Sequence, residues 1–275
     1  MLAITGGTGD FILALATMQQ LQKELPAMDT MEILIEAHMV HLTALLPSFV
    51  SRIHIIPESF IKDIDDYKLY ELINTKNWDA YYRASPIPDL WSKITAKTAI
   101  AAQMQLCQLQ TIDPIPLVSP PPSWRSSPTR DPYILFNPTA NTLNIKFPWS
   151  TWLRNLQSLT DTKFIVNRPT SELLQARQRG EISFTTFSDN LFGLIRLSLG
   201  AQAVVGTRSG LNDILGSLGY AHQIILYPDT QSPNRQVSSF DFYRLVTNGF
   251  PILAQEYLET INLTQLTNSL LKEAT

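Results

Sequence analysis

Three short segments of the chain carry residue types that bind phosphate groups or move protons. The first is Gly6-Gly7-Thr8-Gly9-Asp10, which lies between an apolar run and a helical pattern. Glycines there let the backbone approach a ligand closely, and the start of a helix attracts anions. Asp10 is either an ordinary first-turn carboxylate or, if it faces a substrate, a base for a hydroxyl proton.

The same glycine run also resembles the start of a short-chain dehydrogenase. The third glycine of that dinucleotide fingerprint would fall near Ile12 and is missing, and the chain has no Tyr-x-x-x-Lys pair. Asp10 would also repel a pyrophosphate. These three points count against a nicotinamide-dependent oxidoreductase or epimerase, which is kept as the alternative hypothesis.

The second segment follows a strand predicted from Tyr133 to Phe136. It contains Asn137 and Thr139, then Lys146 just before a helix with two tryptophans. Lysine binds phosphate as a point charge, so Lys146 is either a phosphate ligand or a solvated surface residue.

The third segment, Val204 to Asp213, gives the strongest indication of an anion site. An apolar strand ends at Gly206 and a helix begins near Ser209, so free N–H groups, small residues and Arg208 converge. Arg208 is predicted to clamp phosphate oxygens or to pair with a carboxylate. Asp213, one turn later, is predicted to meet a ribose hydroxyl or to complement the helix dipole.

Composition excludes several classes of protein. The 275 residues are 44% hydrophobic and 16% charged, with a net charge of −3 and no dense basic run, so we expect a globular protein that does not bind nucleic acid. The single cysteine, Cys107, precludes an internal disulfide or a cysteine-built zinc site. His38 and His41 lie three residues apart without an evident third ligand, so no metal site is predicted. No signal peptide or membrane-spanning run is evident, which predicts a cytoplasmic protein.

Apolar strand patterns alternate with helical patterns through most of the chain, which predicts parallel α/β sheets. A proline-rich stretch divides the alternation in two. We expect an N-terminal domain over residues 1–117, a linker over 118–132 and a C-terminal domain over 133–275. The tail from Phe240 is predicted to be helical without another strand, and its helices could pack back on the N-terminal domain.

Together these segments resemble the heptosyltransferase-like group of GT-B glycosyltransferases, family 9. Gly9-Asp10-Phe11-Ile12-Leu13 is similar to the family's Gly-Asp element, and Asn137-Pro138, Lys146, Pro148 and Trp152 are similar to the opening of its second domain. Asp189 to Leu211 is similar to its last motif. The resemblance implies two Rossmann-like domains whose parallel sheets face a central cleft.

The resemblance also implies roles for individual residues. It implies that Asp10 is the catalytic base. From their places in the chain, Gly7, Thr8, Gly9 and Arg83 are also expected to lie near the acceptor. The resemblance implies that Lys146, Ser209, Gly210 and Leu211 bind the donor. The residue types themselves add Asn137, Thr139, Arg208 and Asp213 to the expected donor site.

The implied activity is metal-independent, inverting sugar transfer from a nucleotide-diphosphate sugar, without a cofactor. The acceptor would be a glycan, a lipid-linked glycan or a protein. Arg208-Ser209-Gly210 replaces the family's Asp-Thr-Gly, which favours a sugar other than heptose. The first domain is short for the family, so a non-catalytic binding protein of the same fold is a further alternative.

Overall fold

The computed structural model describes residues 2–4, 9, 11–12, 14–15, 18, 22, 30–56, 82–83, 120–124, 131–140, 145–220, 222–227, 254–257 and 261–274. Several predicted features lie outside these residues: Gly7, Thr8, Asp10, Cys107 and about half of the linker. The segments Tyr67 to Asn74 and Leu90 to Leu109, whose apolar patterns predict helices, also lie outside them. The division into two domains stays a prediction.

The first sheet is parallel and is built around the strand that precedes the glycine run. Its strands are β1 (Leu2–Ile4), β2 (Met31–Glu36), β3 (Val50–Ile56) and β4 (Tyr82–Arg83), in the order β3-β2-β1-β4. In β1 and β2, Ile4 lies opposite Ile35. The described residues between 9 and 22 are helical, and a 3-10 helix, Ala37–Leu45, follows β2 directly.

The second sheet is also parallel and holds the apolar strands of the C-terminal half. Its strands are β5 (Tyr133–Asn137), β6 (Lys163–Asn167), β7 (Thr185–Phe187), β8 (Ala203–Thr207), β9 (Gln223–Tyr227) and β10 (Ala254–Tyr257). Their order is β10-β9-β8-β5-β6-β7. The strands β5, β8 and β9 are buried along their whole length, because helices cover both faces of a parallel sheet.

Helices connect these strands. They are α1 (Trp149–Gln157), α2 (Ser171–Gln178), α3 (Leu191–Gly200), α4 (Gly210–Ser217) and the C-terminal α5 (Leu263–Ala274), with a short 3-10 helix at Pro122–Trp124. Side-chain caps set two of the starts: Thr170 accepts from the Leu173 N–H, and Asn190 from the Gly193 N–H. Within the described ranges, no helix is both long and apolar enough to cross a bilayer.

Two apolar clusters cover the two faces of the second sheet. One contains α1, α2 and α5, with Leu266 and Leu270 of α5 packed beside Trp152. The indole N–H of Trp152 donates to Thr267 Oγ1 at 2.9 Å, which ties α5 to α1. The other cluster is continuous with the core of the first sheet. The two sheets therefore share apolar packing.

The C-terminal tail corrects one prediction. Ala254–Tyr257 is the strand β10, parallel to β9 with Ala254 opposite Ile224, where the sequence pattern predicted only helix. An edge strand needs backbone pairing with one neighbour, so a segment containing Gln255 and Glu256 can extend a sheet without an apolar alternation. The 3-10 helix after β2 had no sequence prediction.

We predict that Gly206→Ala destabilises the second sheet. An added Cβ would lie 2.7 Å from the Asn137 carbonyl oxygen and 2.9 Å from its Cβ, so neighbouring strands would have to separate. We expect urea denaturation to give a loss of roughly 1–3 kcal/mol in the free energy of unfolding.

Gly193→Ala in α3 is the matched control. Its added Cβ meets the exposed carboxylate of Asp189, which can rotate away, and lies 3.1 Å from Asp189 Cβ, a contact that a shift of a few tenths of an ångström in the loop relieves. Alanine also favours a helix over glycine. The unfolding free energy should change by about 1 kcal/mol or less. Equal losses in the two variants would contradict the close approach of β5 and β8.

Candidate functional site

The polar loops of both sheets lie beside a reversal of strand order. There the chain stops adding strands toward one edge of the sheet and begins adding them toward the other, although all strands stay parallel. In the second sheet the chain runs from β5 outward to β7, then returns to β8 and runs outward to β10. The reversal lies between β5 and β8, whose carboxyl ends are Asn137 and Thr207. In the first sheet it lies between β1 and β4. Ligands of open α/β sheets bind outside the carboxyl ends of the strands at such points.

Buried hydrogen bonds shape the loop after β5. Asn167, at the end of β6, donates through Nδ2 to Asn137 Oδ1 at 2.7 Å. The Thr207 hydroxyl donates to the Pro138 carbonyl at 2.8 Å, which joins the ends of β5 and β8. Thr139 donates weakly to the Arg168 carbonyl at 3.3 Å and is partly exposed. Asn137 and Thr139 therefore border the reversal, and their role in donor binding stays a prediction.

The start of α4 lies on the other side of the same reversal. The Ser209 N–H donates to Asn212 Oδ1 at 2.8 Å, so one of the helix's first N–H groups is used within the helix. Asn212 Nδ2 in turn donates to Gln223 Oε1 of β9 at 3.2 Å. Among described residues, no acceptor meets the N–H groups of Gly210 and Leu211. These two groups can receive an anion.

Arg208 and Asp213 form an ion pair beside this helix start. Arg208 Nη2 lies 2.8 Å from Asp213 Oδ2, and the side chains are only 12% and 3% exposed. The Arg208 N–H donates to the Leu226 carbonyl at 2.9 Å, which fixes the backbone that carries the guanidinium. Two roles were predicted for Arg208, and in the structure it pairs with a carboxylate. That carboxylate belongs to Asp213, which is itself a predicted site residue.

Gly9, in the helix that follows β1, lies beside this ion pair. A Cβ at Gly9 would lie 2.6 Å from Asp213 Oδ2 and 3.8 Å from Gly210 Cα. Gly9 and the start of α4 are therefore neighbours. Only glycine fits this contact without displacing a buried carboxylate.

The remaining predicted site residues are more scattered. Lys146 is exposed between buried Ile145 and Phe147 on the segment from β5 to α1. Leu211 buries its side chain in the core, so only its backbone faces the site. Arg83 ends β4 beside β1, and its side chain lies outside the described part of the chain.

Sequence reasoning missed two features of these strand ends. Arg168 follows Asn167 at the end of β6 with φ 46°, a left-handed conformation that is uncommon for arginine. Glu36 is a buried carboxylate at the end of β2, and His38 lies beside it. For Arg168 and Glu36 alike, the signal available in the sequence was a charged residue at the end of an apolar strand or directly after it.

Ordinary surface charges gather at the opposite end of the second sheet. Lys163, the first residue of β6, pairs with exposed Asp131. A hydrogen bond from Arg179 lowers the pKa of Glu181, in the loop before β7. Among the described residues, no group of three or more metal-ligating side chains occurs.

Comparison with solved structures identifies the fold. The chain is similar to E. coli ADP-heptose LPS heptosyltransferase II, with a TM-score of 0.64, 14% identity, and coverage of 100% of this chain and 99% of that chain. It is also similar to a glycosyl transferase family 9 protein from Veillonella parvula, with a TM-score of 0.61, 12% identity, and coverage of 99% and 94%.

A third similar structure is E. coli heptosyltransferase WaaC with ADP, with a TM-score of 0.58, 14% identity, and coverage of 99% and 97%. In sequence, neither a family model nor a curated protein matches the chain. The likeness shows the fold: an α/β protein with parallel sheets, of the GT-B type found in these glycosyltransferases. The fold class predicted from sequence is confirmed.

We predict that Asp213→Asn destabilises the protein. The substitution keeps the shape of the side chain but removes the charge that balances the nearly buried Arg208 guanidinium. Breaking such a pair from one side costs about 3 kcal/mol, measurable by urea denaturation. Asp131→Asn breaks an exposed ion pair and should change stability little. A loss no larger than that of Asp131→Asn would contradict a balancing role for Asp213.

Proposed function

We propose that this chain is a metal-independent, inverting glycosyltransferase that moves a sugar from a nucleotide-diphosphate sugar to a hydroxyl of a glycan or related acceptor. The observation that carries the proposal is the meeting of Gly9 with Gly210 and Asp213. This contact brings together the points at which the strand order reverses in the two sheets. One half can therefore hold a donor and the other an acceptor.

The donor would bind at the carboxyl ends of β5 and β8. Its diphosphate would accept hydrogen bonds from the Gly210 and Leu211 N–H groups at the positive end of α4. Lys146 and Arg208 would neutralise the leaving diphosphate, a task that metal ions perform in other enzymes. Asn137 and Thr139 would line the donor pocket. ADP bound to WaaC, a protein of similar fold, supports a nucleoside diphosphate as the leaving group.

Asp213 argues against the alternative of a dinucleotide at the glycine run. Dinucleotide-binding folds place a pyrophosphate at the start of the helix after the first strand. Here the carboxylate of Asp213 lies against Gly9, which is helical. The space beside Gly9 that a pyrophosphate would approach is therefore filled by the Asp213 side chain.

The transfer step would be a single displacement. The acceptor hydroxyl oxygen forms a bond to C1 of the donor sugar while the bond from C1 to the phosphate oxygen breaks. The electron pair leaves with the nucleoside diphosphate, and Asp10 takes the hydroxyl proton. Because the oxygen attacks opposite the leaving group, the configuration at C1 inverts.

We predict that Lys146→Ala weakens nucleotide binding without changing the stability of the free protein, because Lys146 is exposed. A thermal-shift screen of ADP, UDP, GDP, CDP and dTDP, with NADH and NADPH alongside, supplies the measurement. A ligand at roughly 100 times its dissociation constant adds about 2.7 kcal/mol of stability. The variant should bind the selected nucleotide about tenfold more weakly or worse.

Lys163→Ala is the matched control, since it removes the same charge from the opposite end of the sheet. If only NADH or NADPH stabilises the protein, the oxidoreductase alternative replaces this proposal. If Lys146→Ala binds the nucleotide as the wild type does, the assignment of Lys146 is wrong.

We predict that Asp10→Asn abolishes sugar transfer while leaving nucleotide binding intact, because the amide cannot take the acceptor proton. Release of nucleoside diphosphate from a panel of nucleotide sugars measures turnover, and the thermal shift measures binding. Asp161→Asn, an exposed aspartate before β6, serves as the control. Wild-type turnover in Asp10→Asn would remove Asp10 as the base. Nucleotide binding by a wild type without turnover would favour the non-catalytic alternative.

A further inference from the structure

Two buried asparagines end neighbouring strands of the second sheet. Asn137 is the last residue of β5 and Asn167 is the last residue of β6, and each is only 4% exposed. Asn167 Nδ2 donates to Asn137 Oδ1 at 2.7 Å. An amide can bond through both its nitrogen and its oxygen, so one bond between two amides uses only part of what they offer.

The pair has one donor and one acceptor left over. Among the described residues, neither Asn137 Nδ2 nor Asn167 Oδ1 has a hydrogen-bond partner. Turning both amides over would exchange the two atoms and still leave one of each kind. Buried polar atoms are almost always paired with protein, water or a ligand, because leaving them unpaired is costly. Neither atom is among the fully enclosed unpaired atoms of the structure, so a ligand can reach both.

The two amides lie on the side of the sheet that faces the first half. Side chains alternate along a strand, so Asn137 lies on the same side as Leu135. Asn167 lies on the same side as Ile165 for the same reason. Leu135 and Ile165 belong to the apolar cluster that is continuous with the core of the first sheet. The free amide atoms are therefore on the side where the proposed acceptor half lies.

The amide pair is also close to the proposed diphosphate site. Gly206 of β8 is opposite Asn137 of β5, and α4 begins at Gly210. Because adjacent strands are about 4.8 Å apart, β8 and β6 lie about 10 Å apart on either side of β5. In a nucleotide sugar, ribose and the transferred sugar are each bonded directly to the diphosphate. The groups of the donor nearest to its phosphates are therefore sugar rings and their hydroxyls.

Hydrogen bonds between the following loops hold the two strand ends together. Thr139 donates to the Arg168 carbonyl at 3.3 Å, which joins the residues that follow the two asparagines. The Thr207 hydroxyl donates to the Pro138 carbonyl at 2.8 Å on the other side. The amides are thus held in place before a ligand binds, which lowers the entropic cost of binding.

We propose that Asn137 and Asn167 form a neutral binding site for a sugar hydroxyl of the nucleotide-sugar donor. Asn137 Nδ2 donates to the hydroxyl oxygen, and the hydroxyl donates its proton to Asn167 Oδ1. A hydroxyl accepts and donates at a single oxygen, so it satisfies both amide atoms at once. This inference rests on the proposed transferase function. It adds Asn167 as a residue that recognises the carbohydrate of the donor, whereas Lys146 and α4 bind the charge.

The test compares ligands with and without single hydroxyls on the full-length chain. The first set is whichever of ADP, UDP, GDP, CDP and dTDP binds the wild type most tightly, with its forms that differ only in the 2′ or 3′ hydroxyl. The second set is the nucleotide sugar that binds most tightly, with its deoxy forms at each position of the transferred sugar. Titration calorimetry gives the dissociation constants for the wild type, Asn167→Ala and Tyr133→Phe.

Tyr133→Phe is the matched control. It removes a buried hydrogen bond from the Tyr133 hydroxyl to the Leu197 carbonyl, at the other end of β5. It should lower stability and leave all ratios between ligands as in the wild type.

We expect removal of one hydroxyl to weaken binding to the wild type about fivefold to tenfold. In Asn167→Ala, the ligand with that hydroxyl and the ligand without it should bind equally. A response in the first set assigns the hydroxyl to ribose, and a response in the second set alone assigns it to the transferred sugar. The ligand comparison on the wild type needs no variant, so it decides the question even if Asn167→Ala does not fold.

Three results would overturn the inference. They are a wild type that binds every deoxy ligand as tightly as its parent, an Asn167→Ala variant that weakens all ligands by the same factor, and a Tyr133→Phe variant that removes the same discrimination. The second result would reduce Asn167 to a structural residue. Failure of the proposed function gives a different pattern, because no nucleoside diphosphate would then bind even the wild type.

Discussion

The ion pair between Arg208 and Asp213 is the interaction on which the geometry of this site depends. The Asp213 carboxylate is almost fully buried, so it needs compensation from the guanidinium and from the positive end of α4. It also lies where a side chain on residue 9 would project, so the missing side chain of Gly9 makes the arrangement possible. One carboxylate thereby links Gly9, in the helix after β1, to the start of α4.

The same pair also occupies the space beside Gly9. The Asp213 side chain lies against Gly9, at the start of the helix after β1, where dinucleotide-binding folds leave room for a pyrophosphate. The N–H groups of Gly210 and Leu211 meet no acceptor among the described residues, and exposed Lys146 lies on the segment after β5. The two sheets thus have chemically different edges: helix N–H groups and an exposed lysine on the second, and a carboxylate and a histidine on the first.

Local patterns predicted most of the second half correctly. Continuous apolar runs such as Tyr133 to Phe136 predict buried parallel strands, and cap residues such as Asn190 mark helix starts. The pattern failed at β10, because the polar edge strand Ala254–Tyr257 is held by backbone pairing with β9. Pairing between segments distant in sequence leaves no periodic pattern along the chain.

For the site, the sequence by itself determined the types of chemistry available: a glycine run before a helix, and an arginine and small residues at the start of α4. Each depends on neighbours within a few residues, which is why it can be recognised locally. Only the tertiary structure decided that Arg208 pairs with Asp213, that Gly9 meets both Asp213 and Gly210, and that Glu36 is buried beside His38. Such contacts depend on strand order and helix packing, which bring together groups as far apart in sequence as Gly9 and Asp213.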